Sequence, residues 1–107
     1  VHLGVDFDVP LGSDIQAVAE GVVTYSGVRN GYGNVVEVDH GNGYMTRYAH
    51  NSRNLVEVGT RIHVGQIVAK VGSTGRSTGP HCHFEVWLNG RPVNPMAYVR
   101  STRATRG

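Results

Sequence analysis

The sequence predicts an all-β domain, a compact antiparallel β-sheet with little or no helix. Short runs rich in β-branched and aromatic residues recur along the chain, and clusters of Gly, Asn and Asp separate them. Helix-period patterning of apolar residues is hard to find. Fifteen of the 107 residues are glycine, and they lack the three-residue period of collagen. Scattered glycines between Val-rich runs favour short strands joined by tight turns.

Six runs have strand character, and the whole pattern indicates roughly seven to nine short strands. Two clusters between them, Gly41-Asn42-Gly43 and Asn89-Gly90, tolerate the positive φ angles that tight hairpin turns require. A third cluster occupies residues 30–34. The predicted strands are Ile15–Ala19, Gly21–Tyr25, Val35–Asp39, Tyr44–Ala49, Ile67–Val71 and His83–Leu88.

Size and charge indicate one domain that does not bind nucleic acid. A chain of 107 residues suits a single core and is too short for two. The formal charge is +2, but three arginines (100, 103 and 106) lie in the last eight residues, which leaves seven basic against eight acidic residues elsewhere. A near-neutral body is not the electrostatic footprint of a nucleic-acid-binding protein. Residues 99–107 are therefore interpreted as a basic C-terminal tail.

Two histidines flank the only cysteine in the segment His81-Cys82-His83. Because side chains of a strand alternate between faces, His81 and His83 point the same way and Cys82 points the opposite way. Neutral imidazoles on one face suit zinc. We expect Cys82 to be a small buried apolar residue, and a single cysteine allows no internal disulfide.

The segment from His2 to Asp6 adds an imidazole and a carboxylate. Positions 2, 4 and 6 share one face of an extended strand, and Gly4 between them would leave room for a metal. Catalytic zinc sites usually have three protein ligands and one open position. Each short motif alone is a weak signal, but their combination in one small domain is much stronger.

From His2 to about Tyr98 the chain resembles the zinc metallopeptidases of the lysostaphin and LytM type, peptidase family M23, and among them the Gram-negative murein DD-endopeptidases. The resemblance is carried by His2-x-Gly-x-Asp6, by Tyr48-Ala-His50, and by the run Ser73-Thr-Gly-Arg-Ser-Thr-Gly-Pro-His81-Cys-His83-Phe-Glu85. It implies a lysostaphin-like sheet related to the barrel-sandwich hybrid, with residues 1–98 as the catalytic domain. One position departs from the family: Cys82 stands where Leu is usual.

The resemblance also implies the site and its chemistry. His2, Asp6 and His83 would bind Zn²⁺, and His50 and His81 would be the catalytic histidines. The chain has no His-Glu-x-x-His motif, so a neutral histidine must replace the usual glutamate base. Which of His50 and His81 is that base stays open.

The implied activity is that of a zinc metalloendopeptidase that hydrolyses the peptide cross-links of peptidoglycan (D,D-endopeptidase type) in the periplasm or cell envelope, or after secretion. A glycyl-glycine endopeptidase of the same family and a non-catalytic activator of other wall hydrolases are the alternatives. No run approaches the roughly 20 apolar residues of a membrane span, and no signal peptide is visible. Because Val1 stands beside a candidate ligand, we expect a piece of a longer precursor.

Several other residues have open or structural interpretations. Glu85 either hydrogen-bonds a ligand imidazole or is an outward charge, and Tyr32 and Tyr48 either flank a peptide groove or pack in the core. His63 fits an exposed position of a strand, and neither it nor His40 is given a function. A biotin- or lipoyl-type carrier would need a lysine at a hairpin tip, whereas the only lysine, Lys70, lies within a strand pattern.

Overall fold

The computed structural model describes residues 4–75 and 79–96, and in this part of the chain nine strands form one antiparallel sheet. The predicted all-β class and strand number are confirmed. Among the described residues, no helix is long and apolar enough to span a membrane. The strands are β1 Val5–Phe7, β2 Asp14–Gln16, β3 Gly21–Arg29, β4 Gly33–Gly41, β5 Tyr44–Asn54, β6 Arg61–Ile62, β7 Ile67–Val71, β8 Cys82–Leu88 and β9 Arg91–Val93.

The central strand β5 changes partner along its length, and this change shapes the site. The main strand order is β1-β8-β5-β4-β3-β6, with β9 on β8 and β2 on β7. The first part of β5 pairs with β8 as far as Ala49, which lies opposite His83. From Asn51 onward β5 pairs with β7 instead. His50 stands at the junction, where neither ladder continues.

Alternation along β8 separates an apolar core from a polar face. Phe84 and Val86 are buried in the core, and the Phe84 ring packs against Tyr48 of β5 with centroids 5.5 Å apart. Cys82 belongs to the same core cluster. Full burial of such side chains stabilises the fold by about 1.5–3 kcal/mol each. The intervening residues of β8 are therefore directed to the opposite face of the sheet.

Both predicted hairpin turns are present. Asn42 has a φ of 53° between two glycines that also have positive φ, and it joins β4 to β5. Asn89 and Gly90 have φ angles of 52° and 79° and join β8 to β9. Positive φ at both positions suits the twist of adjacent antiparallel strands.

Two strand predictions need correction. The run Ile15–Ala19 forms a strand only as far as Gln16, because a bulge after Ile15 ends the regular ladder with β7. Ala17 then bonds to the turn at residues 65–66 instead, donating to the Gln66 carbonyl and accepting from the Gly65 amide. His63 is exposed, as expected, but it follows β6 rather than lying within a strand.

Candidate active site

Asp6 and His83 meet across the pairing of β1 with β8. They are direct partners in the ladder, and His83 Nδ1 lies 2.7 Å from Asp6 Oδ1. The same carboxylate oxygen is 3.4 Å from Nε2 of His81. One carboxylate thus stands between two imidazoles of the His-x-His segment, on the face predicted by strand alternation.

His50 reaches the same place from β5 through an unusual backbone conformation. Its φ is 62°, a left-handed value that costs a non-glycine residue on the order of 1–3 kcal/mol and is frequent at functional sites. Its amide donates to the Tyr32 carbonyl at 2.8 Å. The His50 ring lies 5.1 Å from the His81 ring and 5.8 Å from the His83 ring, between centroids. The structure therefore brings Asp6 and three histidines together.

The loop after β7 holds the His50 ring in place. Nδ1 of His50 lies 2.6 Å from the Thr74 carbonyl oxygen, while the Thr74 hydroxyl donates to the Asn51 carbonyl at 2.8 Å and accepts from the Asn34 amide at 3.0 Å. A side chain at Gly33 would overlap Thr74 Oγ1. Close backbone approach between these segments therefore fixes the carbonyl that orients His50.

Hydrogen bonds to backbone carbonyls orient two of the imidazoles in the same way. A backbone carbonyl only accepts, so Nδ1 of His50 donates to Thr74 and Nδ1 of His81 donates to the Gly79 carbonyl at 2.9 Å. In each neutral ring the lone pair is then on Nε2. Burial lowers the pKa of His50, with the bond to Thr74 acting in the opposite direction. This histidine is therefore held in its neutral form.

Glu85 is fully buried and contacts His83 from the other side. Its Oε2 lies 2.8 Å from His83 Nε2, and this hydrogen bond is the main reason that the pKa of His83 is raised. Burial raises the pKa of Glu85 itself, but hydrogen bonds from His83, Trp87 and Tyr32 and the charge of Arg47 bring it below its usual value. The interpretation of Glu85 as an outward charge is wrong; it is an ionised buried partner of the histidine.

The residues present fit a metal ion. Asp6 offers a carboxylate oxygen and His83 an imidazole Nδ1 at one point, and the bond to Glu85 directs that nitrogen toward Asp6. Gly4 lets these side chains come close to the backbone before β1: a Cβ there would lie 2.9 Å from His83 Cε1 and 2.7 Å from Glu85 Cγ. Within the described ranges, no group of three His, Cys, Asp or Glu side chains is arranged to hold a metal. The expected third ligand, His2, lies outside the described residues, as do residues 76–78 of the loop.

The other residues with open or structural interpretations lie in the core or away from this point, with the exception of Tyr32. Cys82 is buried, and burial raises the pKa of its thiol to about 12. Tyr48 is buried in the core, so of its two interpretations packing in the core is correct. Tyr32, in contrast, has its ring 6.0 Å from the His83 ring.

His40 and Lys70 have structural contacts. The two ring nitrogens of His40 lie 2.7 Å from the Glu20 carbonyl and 2.7 Å from the Thr46 hydroxyl. Lys70 lies within β7 and pairs with Asp14 of β2. Its position within a strand is not that of the hairpin-tip lysine of a carrier domain.

Comparison with known protein families agrees with this geometry. The sequence profile described as Peptidase family M23 matches residues 1–95. The chain belongs to peptidase family M23. The chain is 45% identical over 102 residues to the DD-carboxypeptidase/endopeptidase Mpg of Neisseria meningitidis. The aligned region covers 95% of this chain and 24% of the relative. It is also 45% identical to the peptidoglycan DD-endopeptidase ShyA of Vibrio cholerae, over 89% of this chain and 22% of the relative. It thus spans about a quarter of these relatives.

Solved structures agree with the M23 assignment. The catalytic domain of the antimicrobial peptidase lysostaphin from Staphylococcus simulans superposes with a TM-score of 0.88 at 34% identity, over 92% of this chain and 79% of that one. A zinc-containing peptidase from Vibrio cholerae gives a TM-score of 0.83 at 40% identity, over 86% of this chain and 28% of that one. The lysostaphin-like fold expected from the resemblance is confirmed, and the family together with the zinc-containing relative indicates a metal.

Sequence reasoning missed the residues behind the site. Arg47 and Glu37 were not singled out, yet Arg47 Nη1 lies 2.8 Å from Glu85 Oε1 and Arg47 Nε lies 2.9 Å from Glu37 Oε2. Strand alternation was the available signal, because it places the Arg47 side chain on the face of the sheet that its apolar neighbour Tyr48 does not occupy. Alternation gives the face of a residue but not its cross-strand partner.

Proposed function

We propose that this chain is the catalytic domain of a zinc metalloendopeptidase that hydrolyses the peptide cross-links of peptidoglycan, of the D,D-endopeptidase type. The observation that carries the proposal is the convergence of Asp6, His50, His81 and His83 from three strands and a loop. The peptidoglycan DD-endopeptidase name of a relative 45% identical to it supports the substrate class. Action on peptidoglycan would place the protein in the periplasm or cell envelope.

His2, Asp6 and His83 would hold the zinc ion. Two imidazoles and one carboxylate are a ligand set found in hydrolytic zinc sites, and they leave a position open. Zinc, when bound, supplies a Lewis acid that polarises a carbonyl and acidifies water toward a pKa of about 7. Asp6 and His83 are already adjacent, and the bond between His83 and Glu85 directs the coordinating nitrogen.

His50 and His81 would move the protons of the reaction. Each donates through Nδ1 to a backbone carbonyl, so that Nε2 can accept a proton from water or return one to the leaving amine. The carbonyl groups of Thr74 and Gly79 accept these bonds and so orient both rings without help from substrate. The two histidines share the roles of proton acceptor, proton donor and stabiliser of the oxyanion.

The decisive experiment is digestion of purified muropeptides from both wall types, with products identified by mass spectrometry. We expect cross-linked dimers of diaminopimelate-type walls to be converted to monomers, with loss of activity on chelation and recovery with zinc. His81→Ala should be inactive, whereas His63→Ala, an exposed histidine outside the site, should match the wild type.

The same digestion distinguishes the alternatives. Intact dimers together with cleaved glycine bridges would identify a glycyl-glycine endopeptidase, an activity consistent with the structural match to lysostaphin. Failure to cleave either substrate, in a protein that binds no stoichiometric zinc, would identify a non-catalytic activator.

A further inference from the structure

A row of charged side chains crosses the sheet behind the site. Glu37 of β4, Arg47 of β5 and Glu85 of β8 are successive cross-strand partners. Arg47 donates through Nε to Glu37 at 2.9 Å and through Nη1 to Glu85 at 2.8 Å. Arg29 continues the row by donating through Nε to Glu37 at 2.7 Å. We call these four residues the charge row; it ends at His83, which bonds to Glu85.

The charge row is buried at the end that contacts the site. The side chain of Glu85 is 0% exposed and that of Arg47 is 13% exposed, whereas Arg29, at the far end, is 41% exposed. A buried carboxylate without its partner costs several kcal/mol. The Arg47 guanidinium also lies 4.9 Å from the Tyr32 ring centroid and 5.2 Å from that of Trp87. Two aromatic rings therefore flank its planar group in addition to the two carboxylates.

The two oxygens of Glu85 have separate partners. Oε1 accepts from Arg47 Nη1 at 2.8 Å and from Trp87 Nε1 at 2.8 Å. Oε2 lies 2.8 Å from His83 Nε2, and the Tyr32 side chain also hydrogen-bonds this carboxylate. Since Arg47 and Trp87 both donate to Oε1, they help to set the rotation of the carboxylate and hence the direction from which it holds the His83 ring.

We propose that Arg47, anchored by Glu37, is a positioning residue that fixes Glu85 and through it aims Nδ1 of His83 at the metal. The proposal rests on the zinc site proposed above. Glu37 holds the Nε edge of the guanidinium, and this contact leaves Nη1 facing Glu85. Arginine is required because one planar fork must reach two carboxylates on different strands, which a lysine ammonium cannot do with the same geometry.

The test measures zinc affinity, by competition of the zinc-loaded chain with a chromophoric chelator, and thermal stability of the metal-free chain. Arg47→Met should weaken zinc binding by about 10–100-fold, the usual range for loss of a partner behind a metal ligand. Arg47→Lys keeps the positive charge, but its zinc affinity should still fall by most of the same factor. Glu37→Gln should weaken binding by a smaller factor, because Arg47 keeps its contact with Glu85.

Lys70→Met is the matched control. It removes a cation from another ion pair, whose partners Lys70 and Asp14 are 39% and 43% exposed and lie on β7 and β2. Zinc affinity should stay within about twofold of wild type, since exposed pairs contribute little. A double-mutant cycle with Glu85→Gln adds a second readout: if Arg47 acts through Glu85, the two losses of affinity are not additive.

The outcomes separate this proposal from the proposed function. A wild-type chain that binds no zinc would overturn both. A wild type that binds zinc, with an Arg47→Met variant that melts earlier but binds zinc equally well, would show a purely structural role and overturn only the positioning proposal. Additive losses in the cycle would also overturn it. Should Arg47→Met not fold, Arg47→Lys decides by the same criterion: wild-type affinity refutes the proposal, and weakened affinity supports it.

Discussion

Gly4 offers the sharpest test of how the metal-binding edge is built. From the sequence, glycine between His2 and Asp6 was expected to leave room for the metal. In the structure, a Cβ at this position would lie 2.5 Å from the Phe84 carbonyl oxygen, 2.7 Å from Glu85 Cγ and 2.9 Å from His83 Cε1. Contacts below 3 Å require movement, and the first of these is to backbone in the next strand. The space is needed by β8 and by the His83 ring.

Gly4→Ala should therefore disturb both stability and zinc binding. Overpacking of this kind costs about 1–3 kcal/mol, and each kcal/mol lowers the Tm of a domain of this size by roughly 4–8 °C. Because relief of the clash must separate β1 from β8 or turn the His83 ring, zinc affinity should also fall, by about tenfold or more. Thermal melting of the metal-free chain and chelator competition measure the two effects separately.

Gly27→Ala is the control for this substitution. Gly27 also lies in a strand, but its nearest neighbour to a new Cβ is the flexible end of Tyr25 at 3.4 Å. Replacement there should leave zinc affinity unchanged and Tm unchanged or slightly higher, because alanine reduces the entropy of the unfolded chain. Wild-type Tm and zinc affinity in Gly4→Ala would refute the reasoning about close packing at the site.

Three further substitutions and one chemical treatment have defined outcomes. His83→Ala should lose both zinc and activity, whereas His81→Ala should lose activity and keep most of the zinc; equal loss of metal in the two variants, by elemental assay, would contradict the division of roles. Burial raises the pKa of the Cys82 thiol to about 12, so at pH 8 iodoacetamide should modify this thiol only after the protein unfolds. Modification of the native protein at the rate of a free thiol would argue against this burial. Gly33→Ala should displace Thr74 and lower activity with zinc retained, so that full activity would contradict the loop packing.

Much of the fold could be predicted because its signals are local. Alternating apolar residues in β8, together with Asn-Gly and Gly-Asn-Gly turns, specify strands and hairpins within a few residues of each other. The end of β2 could not be predicted in this way, because the backbone groups of Ala17 bond to Gly65 and Gln66. That choice depends on a contact between distant segments.

The same distinction between local signals and long-range contacts separates the features of the site that could be predicted from those that could not. Strand alternation correctly placed His81 and His83 on one face and Cys82 on the other. The meeting of Asp6 with His83, which are 77 residues apart, depends on the register of β1 against β8. The ligand requirement of a zinc site and the family resemblance both indicated this meeting, but neither gave the register. The charge row depends on the register of three strands at once. A shift of one residue in β5 would turn Arg47 to the core.

His50 shows why strict alternation fails at the most informative position. Tyr48 points into the core, so alternation along β5 would send the side chain two residues later into the core as well. Instead β5 changes partners between Ala49 and Asn51, and the positive φ of His50 turns its ring toward the other histidines. Irregular strand positions of this kind redirect side chains and are frequent beside active sites. The backbone strain at His50 is thus the means by which a core-directed position of the strand contributes an imidazole to the polar face.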